Sequence, residues 1–278
     1  MHVAHPGPAR CSVPAQRSLT ARPYGANVVL DFPIDERFEI ALARKVPIIS
    51  FFWGDARRYV ERVKAAGALA VQVVGSIAEA RAAAAAGCDL VVAQGREGGG
   101  HVRGQLGLMA LLPQVVDAVA PLPVLAAGGI VDRRGVAAAL ALGAAGVWVG
   151  TRFLAAEEAN IHPEYRERIL LSCGDDVVYS ALFDIGWPNA PVHSLRNSTL
   201  HRWEAAGRPQ APSRPGEGDL VANRADGTAI PRHHFSAPTR EVTGGAEAMP
   251  LYAGEAVGLV RSSMAAGSIV HDLAAGMA

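Results

Sequence analysis

Between Asn27 and Ala159 the chain alternates short apolar runs with Ala-rich stretches of helical length. Six runs read as strands: Asn27–Leu30, Pro47–Phe52, Ala68–Val74, Asp89–Ala93, Pro123–Ala127 and Gly146–Val149. Five helices are predicted between them, over Glu36–Arg44, Ala56–Ala65, Ile77–Ala85, Gly107–Ala120 and Arg133–Leu142. This alternation implies βαβ units and a parallel sheet, since parallel neighbours need a crossover helix to return the chain. The runs are apolar throughout, which predicts cover on both faces of the sheet. Three joints repeat the same form: Lys64-Ala65-Ala66-Gly67, Ala84-Ala85-Ala86-Gly87 and Ala141-Leu142-Gly143-Ala144. Each places a glycine where a helix ends left-handed just before a strand. The pattern fits a barrel or a doubly wound sheet.

Beyond Glu158 the pattern changes. Ile161–Leu171 is predicted to be a helix. Phe183–Arg240, rich in Pro, Arg, His and Asn, shows no clear period. It reads as a lid or small subdomain, or as a poorly ordered insertion. Tyr252–Met277 returns to helix-like composition and ends in an apolar helix.

Composition excludes several classes. Lys+Arg and Asp+Glu both number 26, so nothing points to nucleic acid or an anionic membrane. Cys11, Cys88 and Cys173 are scattered. They give neither a metal spacing nor a disulfide framework, which fits a reducing cytosol, and no metal site is expected. No apolar run is long enough for a bilayer. Met1–Gln16 lacks a signal core and reads as a disordered or irregular start.

Parallel sheets bind ligands at the carboxyl ends of their strands, and three loops there could carry chemistry. In the first, the run ending at Ala93 stops at Gln94 and is followed by Gly95-Arg96-Glu97-Gly98-Gly99-Gly100-His101. Glycines let backbone approach a ligand, and a histidine held there suits proton chemistry near neutral pH. The alternative is a surface turn with an incidental His. The second loop is Ala126-Ala127-Gly128-Gly129-Ile130 and the third Gly146-Val147-Trp148-Val149-Gly150-Thr151-Arg152-Phe153. Loops after the last two barrel strands often hold a phosphate on backbone N–H groups. Here Thr151 could add a hydroxyl and Arg152 a charge.

Taken in order, these motifs resemble the nitronate monooxygenase family, long called 2-nitropropane dioxygenases. Arg22-Pro-Tyr-Gly-Ala-Asn27 is similar to its third strand, and Met249-Pro-Leu-Tyr-Ala-Gly-Glu-Ala-Val-Gly258 to its C-terminal glycine motif. The resemblance runs from about Ser18 to the end. It implies an FMN enzyme on a TIM barrel, oxidising alkyl nitronates with dioxygen to carbonyl compounds and nitrite. By that resemblance Asn27, Gln94 and Gly99 would contact the flavin. Gly128, Gly129, Trp148, Val149, Gly150 and Thr151 would hold its phosphate. His101 would be the catalytic base for the proton α to the nitro group, a task for a neutral imidazole of pKa ~6.5. The implied partners are an alkyl nitronate or nitroalkane and dioxygen, in the cytoplasm, with neither nucleic acid nor membrane; a homodimer stays open.

The front of the chain departs from that family. A TIM barrel has eight strands; six are read here, and the family's opening strand with its Ala-Pro-Met phrase is missing before Ser18. The expectation is a TIM-barrel-like α/β fold lacking its first two strands, with uncovered edges, and a mostly helical or irregular C-terminal subdomain. The expected organisation is an irregular start over 1–17 and a partial FMN-binding barrel over 18–160. A lid would span 161–250, and a helix over 251–278 would return to the barrel. Gly98 stands where the family usually has Ala, Glu255 where it usually has Gln, and Trp148 where it often has Gln. A flavin-dependent enoyl-acyl-carrier-protein reductase shares the barrel and the His loop but needs NAD(P)H. An inosine-monophosphate-dehydrogenase-like barrel needs a catalytic loop Cys, whereas Cys88 precedes a strand. A non-catalytic remnant of the family is the reading from another class.

Overall fold

The apolar runs form one six-stranded, all-parallel sheet. The structure, a computed structural model, describes residues 20–277; the expected irregular start over 1–17 lies outside them. The strands are β1 (Gly25–Val29), β2 (Ile48–Phe52), β3 (Leu69–Val74), β4 (Leu90–Gln94), β6 (Val124–Ala127) and β7 (Gly146–Trp148), while β5 (Gly100–His101) belongs elsewhere. They lie in the order β1-β2-β3-β4-β6-β7, each pair in parallel register. Between them run α1 (Asp35–Ala43), α2 (Arg57–Ala65), α3 (Ile77–Ala85), α4 (Leu108–Val119) and α5 (Arg133–Ala141). The repeated joints have the expected geometry: Gly67, Gly87 and Gly143 take φ of 74°, 84° and 93°, values a side chain rarely adopts. Helix starts are set by side chains too. Ser76 Oγ accepts from the Glu79 N–H at the head of α3, and Asp132 Oδ1 from the Arg134 N–H at the head of α5.

Successive strand residues face opposite ways, and the two faces differ. Ala70, Val91 and Ala126 join Phe38, Phe51, Tyr59, Leu111 and Val115 in the main core between sheet and helices. Their neighbours Val71, Val92 and Ala127 point to the concave face, beside Ile48, Val73, Leu125 and Trp148. Those last four are only half-buried. The expectation of cover on both faces therefore holds for the helix side and is corrected on the concave side. The reason is closure: among the described residues β1 and β7 each pair on one side only. The sheet is an open arc of a barrel: Val71, Val92 and Ala127 are buried on its concave face, while Ile48, Val73, Leu125 and Trp148 stay half-buried.

After β7 come a short helix α6 (Thr151–Leu154) and α7 (Pro163–Leu171). Two small antiparallel sheets follow. One, in the order β5-β9-β8, joins β8 (Val177–Ser180) and β9 (Val192–Leu195) to the His101 strand. The other, in the order β11-β10-β12, is made of β10 (Leu220–Asn223), β11 (Ala229–Pro231) and β12 (Thr243–Gly244). Helix α8 (Ser198–Ala205) lies between them in sequence. Phe183–Arg240 is thus not without regular structure, contrary to expectation. Its strands escape pattern reading because they are short and carry buried polar residues. In β9, Val-His-Ser-Leu is buried throughout, and its His193 and Ser194 are satisfied by hydrogen bonds rather than facing water. Helix α9 (Ala266–Ala274) returns Ile269 and Leu273 to the main core. No described helix is long and apolar enough to cross a membrane.

Candidate active site

The site is built at the carboxyl end of β4. The Gly95 N–H donates to Ala127 O (2.8 Å) and the Gly98 N–H to Gly95 O (3.1 Å), turning the chain back within four residues. Gln94 Nε2 donates to the His101 carbonyl at 3.2 Å, which fixes the amide's orientation, since a carbonyl only accepts. Gln94 Oε1 is then a buried acceptor with no hydrogen-bond partner among the described residues. Such a group costs free energy until a donor meets it.

Glu97 turns away from this centre. Both its carboxylate oxygens lie 2.9 Å from the Leu108 N–H, at the start of α4, where the Gly107 cap offers no side chain. A carboxylate there satisfies an orphan donor and favours the helix dipole. Glu97→Gln keeps an acceptor and loses the charge. It should lower stability by about 0.3–1 kcal/mol, read by urea denaturation.

His101 is enclosed by aromatics. Its ring stacks on Trp187, with centroids 3.9 Å apart and planes 29° apart. Tyr252 lies at 5.4 Å, Trp53 at 6.1 Å and Phe235 at 6.4 Å. Trp187 is held by its indole N–H on Asp31 Oδ2 (2.9 Å), and the Tyr252 hydroxyl donates to Phe235 O. Trp53 follows β2 with φ of 63°, an uncommon conformation for a bulky residue, of the sort that clusters at functional sites. The next carbonyl, of Gly54, accepts from Gln72 Nε2 at 3.3 Å. Sequence reading missed Trp53, Trp187 and Phe235. Trp53 had a signal, its position just past a strand end. Trp187 and Phe235 had none, because folding alone brings them to His101.

The glycine turns close against the same loop. Gly128 and Gly129 take φ of 96° and 69°. A Cβ on Gly128 would sit 3.0 Å from both Gly95 O and Gly98 N. Gly99 packs face to face with Gly254 and beside Thr151 Oγ1. The Gly254 N–H donates to that hydroxyl oxygen at 3.0 Å, leaving the Thr151 hydroxyl proton available to an anion. Gly150 borders open space. Trp148 faces the concave side, whereas Val149 packs on the main core and offers the turn only its backbone. Asn27 stands apart, on β1 with β2 and β3 between it and β4, its Oδ1 accepting from Ser50 Oγ at 2.8 Å.

One expectation is corrected here. Arg152 does not lend its charge to the Gly150 turn. It is 7% exposed, with its guanidinium on Ser262 O (3.1 Å) and Met264 Sδ (2.9 Å). It ties the turn to the segment before α9. The local donor set nonetheless fits a flavin phosphate: glycine backbone at two adjacent strand ends, one free hydroxyl proton and open space at Gly150. The orphaned Gln94 oxygen fits a ring N–H. No described cluster of His, Cys, Asp or Glu could hold a metal ion.

A family model described as nitronate monooxygenase matches residues 13–276. A Mycobacterium tuberculosis protein named (3aS,4S,5R,7aS)-5-hydroxy-7a-methyl-1-oxo-octahydro-1H-indene-4-carboxyl-CoA dehydrogenase is 36% identical over 195 residues, 69% of this chain and 54% of that protein. Among solved structures, FabK from Thermotoga maritima superposes with a TM-score of 0.80 at 29% identity, covering 95% of this chain and 78% of that one. The nitroalkane oxidase from Streptomyces ansochromogenes gives a TM-score of 0.75 at 29% identity, covering 95% and 83%. The chain spans about half the length of the curated relatives it matches.

Proposed function

Because the chain belongs to the nitronate monooxygenase family, a family of flavin oxidoreductases, we propose that it binds FMN at the β4, β6 and β7 strand ends. There it would oxidise alkyl nitronates with dioxygen to carbonyl compounds and nitrite. The observation that most supports this reading is the buried, unpartnered Gln94 Oε1 hydrogen-bonded through its own amide to the His101 backbone. FMN, when bound, supplies the electron acceptor. Gln94 offers its oxygen to a flavin ring N–H. The backbone of Gly128, Gly129 and Gly150, with the Thr151 hydroxyl, binds the phosphate. Gly99 would give the backbone close approach, and Asn27, three strands away on β1 with its Oδ1 on Ser50 Oγ, would meet the ring only where the ring reaches across the arc. His101 takes the α proton when substrate arrives as the neutral nitroalkane. Trp187 holds the imidazole plane, and Trp53, Phe235 and Tyr252 exclude water from it.

The test is reconstitution of the purified chain with FMN, followed by oxygen consumption with propyl-2-nitronate, without and with NADH. Retained FMN absorbance and oxygen uptake without NADH are expected. Protein that takes up no FMN overturns the reading and leaves a non-catalytic member of the family. A second reading rests on the relative named for a carboxyl-CoA substrate: a thioester substrate, as for a flavin-dependent enoyl-acyl-carrier-protein reductase. Turnover of an enoyl thioester that requires NADH would select it.

A further inference from the structure

His193 lies in β9 at 2% exposure, against the glycine loop that carries His101. Its backbone faces Gly100 across the β5–β9 ladder, and its Nδ1 is 2.9 Å from the Gly98 carbonyl oxygen. A carbonyl oxygen only accepts, so Nδ1 carries a proton and Nε2 is the atom that gains or loses the second one. Nε2 faces the Glu255 carboxylate at 3.4 Å. Bare, it turns a lone pair toward an anion. Protonated, it turns a donor and a positive charge toward the same oxygen. The contact changes sign with one proton.

Glu255 is itself tied to the loop. Its N–H donates to Glu97 O at 3.0 Å, and the preceding Gly254 N–H to Thr151 Oγ1. The His loop, β9 and the 249–258 segment therefore meet at one buried imidazole. We propose that His193 is a positioning residue for His101, and that proton uptake at Nε2, answered by Glu255, tightens the hold on the Gly98–His101 loop. The charged Nδ1–H donor also strengthens its bond to Gly98 O.

Other groups face this ring. Arg96 opposes the imidazolium, Glu97 and Glu255 favour it, and the Tyr179 ring lies 4.8 Å away. Burial is the largest influence and holds the His193 ring below the usual histidine range, while the Gly98 hydrogen bond works the other way. The neutral ring thus predominates at neutral pH, and the hold tightens as pH falls. The inference concerns the chain's own loop and stands whether or not the flavin reading does.

The experiment uses cofactor-free protein with 13C-labelled histidine, followed by NMR between about pH 5 and 8. Tryptophan emission is the second probe, since His101 stacks on Trp187. His193→Asn and His101→Asn variants assign the two resonances. The His101 resonance and the emission should both show a step at the His193 midpoint. In Glu255→Gln that step and the His193 midpoint should move together to lower pH. Glu255 is half-exposed, so this variant is expected to fold, and circular dichroism checks that it does. A buried histidine of purely structural role would give no shared step. The proposal is overturned if His193 does not titrate in this range, if His101 and the emission ignore its midpoint, or if Glu255→Gln leaves that midpoint unmoved.

Discussion

His101→Ala is expected to lower oxygen-dependent turnover of a neutral nitroalkane by on the order of 10²–10⁴-fold, the usual cost of losing a positioned general base. Preformed propyl-2-nitronate should lose much less, because its α proton is already gone. That split separates a base from a residue that merely shapes the pocket. The half-buried ring stacks on Trp187 and borders three further aromatics; the Trp187 indole N–H is held by Asp31 and the Tyr252 hydroxyl by Phe235 O. The variant should therefore fold, and FMN titration should give binding close to that of the parent chain. Equal losses on the two substrates would assign His101 a different role, and unchanged turnover would remove it from the chemistry.

Gly99→Ala carries the second large effect. The added Cβ would lie 2.5 Å from the Gly254 nitrogen, 2.8 Å from the Ala253 carbonyl carbon and 2.9 Å from Thr151 Oγ1. Two of these atoms belong to backbone, and the third is held by the Gly254 N–H. No rotamer change relieves the clash. Forcing such a contact costs about 1–3 kcal/mol, measured as a lower urea midpoint. It should also part the His loop from the 249–258 segment and abolish FMN uptake at concentrations that saturate the parent chain. Gly150→Ala is the control. Its Cβ would meet nothing within 4 Å, so stability should hold, and any loss of FMN affinity then reports on the space beside that turn. Undiminished stability and FMN uptake in Gly99→Ala would show that this close approach is not needed.

The parallel sheet was legible because its signal is local. Each strand and crossover helix is a contiguous run, and Gly67, Gly87 and Gly143 mark the joints with a backbone geometry that few other residues adopt. The glycine turns and the His loop were legible for a related reason: a strand end followed by glycine is a chain-local event, and strand ends of a parallel sheet converge by topology. The exposure of the concave face was not legible. Ile48 and Leu125 are as apolar as any core residue, yet they are half-buried on a sheet in which, among the described residues, β1 and β7 each pair on one side only.

The sequence by itself determined the βαβ repeat, the family, and the place of Gln94, His101 and the glycine turns along the chain. Those properties depend on residue type and on spacing within a few tens of residues. The tertiary structure alone decided what surrounds them. It seats His101 on Trp187, eighty-six positions away in the chain. It turns Glu97 into a helix cap, withdraws Arg152 from the Gly150 turn, and lays His193 and Glu255 against the loop. Each of these is a contact between side chains on separate elements. Its strength depends on burial and on angles that no residue pattern encodes, because they arise only when the elements pack.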